Sequence, residues 1–573
     1  KETGINRITH ERLQSAEKSA TIASLVGDYK YPADELREAY DNMLLYDEHT
    51  WGRDYPEGEV QDWSWNEKSQ YAYKAAGLVR PILSGSLESI AHKIELNEDG
   101  QYIVVFNSLS FERTDVVRVE KFLVKEPFDL IDTDGGAKVA YQRVRLDGPG
   151  AAAPYSAYRH ARGQFEEHEL LDLVFVADAV PSMGYKTYRI APREGAESPP
   201  GEVTVGQGEI ENRFFKVVLD SATGAVKSIY DKELSREMVD ADANDGVNQF
   251  VARWVQTGKL EGPREATIQE GQKGPVYGSI VARSEGAGCP QITQEVILYD
   301  RIKRIDFANR VLKDSTPLLE IYFAFPFKID DPAILFEGSN SVIKPLRDQF
   351  PGSNSNYYSV QHWAEVSEGE VGVTLSAVES HLMEFGGLWP CYVSQAHHGF
   401  TPPGFGAEFV KAGDITKGHI YSFVMDGNFR TNFQPVQQGD MLFRYSVATH
   451  KGEWKDGRRN FGWAAGNPLI PAVVEGKRDG TLERKASFCS VSEGNVMLLT
   501  LKRAEDGKGV IIRLIETDGR DGDVRVSLPF LTMKNAYATS LVEEDKGGLV
   551  CAGHSFMTPM KAYGIRTIRV QGD

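Results

Sequence analysis

The sequence predicts an α+β, multi-domain protein: an N-terminal three-helix bundle followed by mainly antiparallel β domains. Three observations predict it. Apolar residues recur at three- and four-residue spacings up to about residue 95. After Gly100 the spacing falls to two, and alternating stretches continue to the C terminus. At 573 residues the chain is too long for one hydrophobic core, and three to four domains are expected.

Residues 9–26 read as the first helix, with Thr9 a candidate N-cap and Glu11 in the first turn. Leu13, Ala16, Ala20 and Ala23 form a narrow stripe whose small side chains suit close packing. Gly27-Asp28 and Tyr31-Pro32 then break the chain. A second helix runs from about Ala33 to Glu48, with Leu36, Ala39, Tyr40, Met43 and Leu44 on one face. It leads into Leu44-Leu45-Tyr46-Asp47-Glu48-His49-Thr50-Trp51-Gly52, and Gly52 can stop a helix. A third helix covers about Trp65–Ile94, and the shift of its apolar stripe near Pro81 predicts a kink. Short connections join the three into a bundle over residues 1–98.

Residues 99–200 read as a small β domain. Gln101–Glu120 is a strand, a polar turn and a second strand, with Val104, Phe106, Val117 and Val119 at the inward positions. Residues 195–202, Gly-Ala-Glu-Ser-Pro-Pro-Gly-Glu, have linker composition. Long alternating strands over 201–490 predict a large sandwich rather than a barrel. Within it, Arg213–Asp231 reads as a hairpin turning at Gly224. Residues 491–573 form a small terminal β domain. No notable helix is expected after residue 95.

The balance of 64 basic against 82 acidic residues, a formal charge of −18, argues against nucleic acid, which is held by clustered Lys and Arg. No apolar run approaches the roughly 18–20 residues a membrane helix needs. Cys289, Cys391, Cys489 and Cys551 are widely spaced and show no CxxC pairing, so they read as buried small hydrophobes rather than a redox or zinc-ribbon set.

The most informative stretch is the end of the second helix. There Asp47, Glu48, His49 and Trp51 place carboxylate, imidazole and indole together, a set suited to a sugar or metal site. This LLYDEHTWG run resembles glycoside hydrolase family 38, the α-mannosidases, in their middle and C-terminal regions. The resemblance continues at VVFNSLSFERTDVV, EIENRFFKVVLDSATGAVKSIYDKE, LLEIYFAFPF and FRTNFQPVQQGDMLFRYSV, in that order.

The resemblance implies a retaining α-mannosidase acting on mannose-containing oligosaccharides or glycosides, with zinc and an aspartate nucleophile. It also implies that residues 201–490 are a galactose-mutarotase-like sandwich. Family members carry the nucleophile and most metal ligands on an N-terminal β/α domain. This chain opens directly at the helices, so that catalytic domain, and every catalytic residue with it, is expected on sequence not present here. His49 matches the helical-region histidine that completes the zinc site. Animal members read His-His-Asp where this chain has Glu48-His49-Thr50, so the sugar-contacting aspartate is absent, and Asp47 or Glu48 are the candidates to replace it. Trp51 is a candidate stacking residue, or a wedge between helices and sandwich. Asn428, Arg430 and Asn432 form a polar loop suited to a multi-hydroxyl ligand.

Two other readings compete. One is a non-catalytic carbohydrate-binding or accessory protein. The other is an independent sugar site in the sandwich, for which Glu337 is the conceivable acid. His397 and His398 are adjacent on the chain and read as a surface loop.

Overall fold

The computed structural model describes residues 1–52, 58–122, 127–145, 171–193, 201–339, 341–389, 409–427, 433–434, 436–453 and 455–572. Three helices open the chain: α1 (Glu2–Val26), α2 (Ala33–Asp47) and α3 (Glu59–Ala91). They share a core in which Leu13, Ala16 and Ala20 meet Leu36, Ala39, Met43, Ala75, Val79 and Ile82. The alanines let the axes approach closely, as their spacing predicts. α1 begins well before Thr9, whose hydroxyl donates to the Ile5 carbonyl at 2.7 Å inside the helix instead of capping it. α3 likewise begins before Trp65 and continues through Pro81.

The strand Gln101–Asn107 is buried on both faces. Ile103 and Val105 pack with Val117 and Phe175, whereas Tyr102, Val104 and Phe106 pack with Ile22, Leu87, Leu498 and Ile512. Reading Val104 and Phe106 as the inward positions therefore captured one of two buried faces. Such a strand needs backbone partners along both edges. Gly184–Pro192 covers one edge and Ile470–Glu475 the other, with Phe106 opposite Ile470. Lys485–Ser487 also pairs with Gly184–Pro192. The chain thus returns to its first β region at 470–487, a stretch expected inside 201–490.

Between these visits it builds two stacked antiparallel sheets. One contains Gln249–Trp254, Leu319–Asp330 and Lys417–Asp426; the other contains Tyr277–Gly286, Cys289–Tyr299, Ile305–Lys313, Gly439–Lys451 and Val371–Ala377. Phe250, Phe323 and Phe325 from the first meet Ile280, Phe307, Leu375 and Tyr445 from the second in one core. The hairpin read at Gly224 is present, pairing Phe215–Leu219 with Val226–Asp231, and Gly224 has φ 74° where a side chain would be strained. The terminal strands Val496–Arg503, Val510–Glu516 and Ile565–Gly572 share a core with Ile22 of α1 and Ile90 of α3. Cys289 and Cys489 are buried and unpaired. No helix among the described residues is long and apolar enough to cross a membrane.

A fourth helix, α4 (Lys455–Gly466), corrects the expectation of none after residue 95. Its sequence, KDGRRNFGWAAG, carries three glycines, each costing roughly 1 kcal/mol of helix propensity. Its buried face is Arg458, Arg459, Gly462 and Trp463 rather than an aliphatic stripe. Tertiary contacts hold it. A Cβ at Gly462 would lie 2.7 Å from Cδ1 of Trp363. Arg459 donates to Thr517 Oγ1 at 2.9 Å, and Arg458 lies over the Trp363 ring at 5.2 Å.

Candidate functional site

α1 has a second face. Asn6, Arg7, His10, Glu11 and Gln14 follow helical spacing and line a cavity of about 910 Å³. Its other walls are the end of α2, the sandwich around 337–342, 359–363 and 376–382, α4, and Thr517 and Asp518 of the terminal β region. Helices, sandwich and terminal strands therefore all face one space.

Deep in the cavity His362 lies between two carboxylates. Its Nε2 donates to Glu11 at 3.0 Å and its Nδ1 to Glu337 at 2.8 Å. An imidazole that donates from both nitrogens is an imidazolium. Burial opposes that charge, but the charges of Glu337 and Glu11 and their hydrogen bonds outweigh it and raise the ring to about 9. Burial likewise opposes ionisation of Glu11, yet the His362 charge and hydrogen bonds from His362 and Asn467 bring it down to about 2. The Trp463 ring stacks on His362 at 4.0 Å, and its Nε1 donates to Glu337 at 2.8 Å. Asn467, just beyond α4, donates to Glu11 at 2.6 Å. Both oxygens of Glu337 are thus held by protein groups, an arrangement for clamping three segments together rather than for proton transfer to a sugar.

Toward the mouth, Asp47 accepts from Asn6 Nδ2 at 2.7 Å and from His10 Nε2 at 2.8 Å, which ties the end of α2 to α1. Arg7 donates to the carbonyls of Val360, Gln361 and Val378, which ties α1 to the sandwich. His381 faces the same region. Burial and the Arg7 charge push its ring down to about 4, against the pull of Asp47, so it is neutral.

His49 lies just past the end of α2, exposed, on the cavity wall. Glu48 folds back on the chain, accepting from the Thr50 N–H at 2.9 Å and the Thr50 hydroxyl at 2.8 Å, and it does not line the cavity. Those bonds hold its carboxyl below the ordinary carboxylate range. Lys68 closes this helix end by donating to the Leu45 and Glu48 carbonyls at 2.6 and 2.8 Å. Trp51 lines the cavity and meets the rings of Tyr46 at 4.9 Å, Phe433 at 5.2 Å and Trp65 at 6.0 Å.

The structure therefore brings Asp47, His49 and Trp51 to one wall and turns Glu48 aside. Asn428, Arg430 and Asn432 lie outside the described residues, as do His397, His398 and Cys391. Among the described residues no group of three or more His, Cys, Asp or Glu side chains could hold a metal ion.

Sequence reasoning missed the Glu11–His362–Glu337 clamp. Glu11 passed as an ordinary first-turn acid, and nothing local marks His362. The available signal was the polar stripe Asn6, Arg7, His10, Glu11 and Gln14 along one side of an otherwise alanine-packed helix.

Two family models match the chain: the glycosyl hydrolases family 38 C-terminal domain over residues 210–381, and the family 38 C-terminal beta sandwich domain over residues 495–568. Alpha-mannosidase G of Dictyostelium discoideum is 21% identical over 329 residues, covering 54% of this chain and 27% of that protein. A solved α-mannosidase from Enterococcus faecalis V583 superposes with a TM-score of 0.73 at 14% identity, over 99% of this chain and 66% of that one. A second family 38 structure from Enterococcus faecalis gives 0.73 at 15% identity, over 99% and 70%. The chain thus spans about a quarter of the curated relative and about two thirds of the solved chains, and the likeness in fold includes the helices. Two family models match in the expected order and the fold is shared with solved members, findings that support the resemblance of this chain to the C-terminal portion of glycoside hydrolase family 38.

Proposed function

We propose that this chain builds one side of the sugar site of a retaining, metal-dependent α-mannosidase that acts on terminal α-mannosides. The observation that carries the reading is the position of His49, at a helix end on the wall of a cavity of about 910 Å³. That volume lies within the roughly 300–1,000 Å³ typical of ligand pockets. In this reading the metal is zinc, a Lewis acid that would hold sugar hydroxyls. His49 supplies one ligand, and the nucleophile, the acid/base and the remaining ligands come from a catalytic domain on polypeptide other than these 573 residues. One histidine cannot hold zinc alone, so in this reading the site is shared between domains.

Trp51 offers an apolar face to the sugar. Asp47 fixes the end of α2, and with it the segment bearing His49, against α1. Asn428, Arg430 and Asn432 belong to the substrate-binding set in this reading, and the two-sheet sandwich is of the galactose-mutarotase type. The test is His49→Ala in the full-length gene product, reading zinc content and hydrolysis of an aryl α-mannoside. Loss of both is expected; unchanged zinc and turnover would refute the assignment.

A second reading, a non-catalytic carbohydrate-binding protein, is favoured by the firmly clamped carboxylates, since Glu11 and Glu337 are both committed to His362. Glycan binding by this chain in excess chelator, without hydrolysis by the full-length product, would select it.

A further inference from the structure

We infer that the mouth of the cavity is a binding subsite for a neutral pyranose, in which Trp51 and Phe433 form a stacking wall and Asn6 accepts a sugar hydroxyl. This deepens the proposed function and rests on its reading of the cavity as a glycan site.

The wall is assembled from segments far apart on the chain. Trp51 follows α2 and Phe433 precedes the strand Gly439–Lys451, yet their ring centroids are 5.2 Å apart at 41° and both line the cavity. Trp51 is backed by Tyr46, itself 1% exposed, and by Trp65, which fix its ring while leaving the indole partly open. A rigid indole of this kind presents apolar area with little conformational freedom to lose on binding.

Asn6 supplies the polar half. It is 4% exposed, and its Nδ2 donates to Asp47. Because an ionised carboxylate only accepts, that bond fixes which way the amide points. Among the described residues Asn6 Oδ1 is buried with no hydrogen-bond donor, and Asn6 lines the cavity. Buried acceptors are nearly always paired, so this one calls for a donor from what enters the cavity.

The charges near this wall are already engaged. Arg7 is bonded to three backbone carbonyls, Asp47 to Asn6 and His10, and Glu11 to His362 and Asn467. A charged ligand would have to break these bonds, whereas a neutral one need not. A hydroxyl donor, an apolar ring face and no net charge together describe a pyranose. The cavity volume further admits an oligosaccharide rather than a single sugar.

The test is calorimetric titration of the full-length gene product with methyl α-D-mannopyranoside and with an α-linked mannotriose. Wild type is compared with Trp51→Ala, Trp51→Phe, Phe433→Ala and Asn6→Leu. The trisaccharide should bind more tightly than the monosaccharide. Trp51→Ala should weaken it about tenfold, Trp51→Phe should largely restore it, and Phe433→Ala and Asn6→Leu should each weaken it several-fold. Phe433→Ala keeps the wall testable if Trp51→Ala fails to fold. Equal affinity in all variants would overturn the subsite even if mannosides are hydrolysed, and the proposed function would then survive alone. Trp51-dependent binding of a different neutral oligosaccharide, with mannotriose ignored, would support the subsite and overturn the mannoside reading. Failure to bind any neutral oligosaccharide would overturn the subsite.

Discussion

Replacing His362 with Gln tests the buried clamp directly. The side chain bonds Glu11 and Glu337 through opposite ring nitrogens, and all three groups are largely buried. Moving an imidazole from 6.5 to about 9 corresponds to about 3 kcal/mol of preference for the charged form in the folded state. Removing one member of a buried ionic set costs about 3–5 kcal/mol, because the partners keep their charge without compensation. A loss of about 3–5 kcal/mol at pH 6 is therefore expected. The sign of its pH dependence follows from the raised value. The stabilisation is complete below 6.5 and disappears as pH rises through about 9, so wild type and variant should converge between pH 7 and 10. Glu11, held at about 2 against an ordinary 4.5, contributes in the other direction. Its share is present above 4.5 and is lost only as pH falls through about 2. Urea unfolding from pH 5 to 10, followed by intrinsic tryptophan fluorescence, measures the His362 effect, since Trp463 stacks on the ring, while the Glu11 share stays constant over that range. A chain of this size need not unfold in one step, so the first transition is the one compared. Unchanged midpoints, or a difference that stays constant across that pH range, would refute the argument.

Further outcomes follow from the same packing. Gly462→Ala forces a methyl to 2.7 Å from Trp363 and 3.1 Å from the His362 carbonyl. A loss of about 1–3 kcal/mol is expected from overpacking, despite alanine's better helix propensity, and is read as a lowered Tm. Glu17, 7% exposed, is raised to about 7 by burial against opposing pulls from Lys502, Tyr40 and other neighbours. Its carboxyl ionises more readily in the unfolded chain, so it withdraws stability as pH rises from 4.5 through 7. Glu17→Gln should remove that slope, raising stability at pH 8 relative to wild type while changing little at pH 4. The His49→Ala and Trp51 variants complete the set, with zinc content and trisaccharide affinity as their respective readouts.

The sequence alone determined whatever depends on local period and short-range chemistry. The helical stripe of Leu13, Ala16 and Ala20, the change to alternation after Gly100 and the hairpin at Gly224 all lie within a few residues of their causes. Each has the predicted form. The LLYDEHTWG stretch was legible for the same reason: its residues are contiguous and their chemistry is specific. Tertiary structure decided what depends on partners hundreds of residues away. α4 has poor propensity and no apolar stripe, and is a helix because Trp363, Thr517 and the clamp hold its face. Ile470–Glu475 leaves the large sandwich because a strand buried on both faces requires a backbone partner on its second edge. Glu11 and Glu337 read as unrelated carboxylates until the fold sets His362 between them. A pattern along the chain records which way a residue faces, but only the folded chain records what it faces, and the cavity is made of the latter.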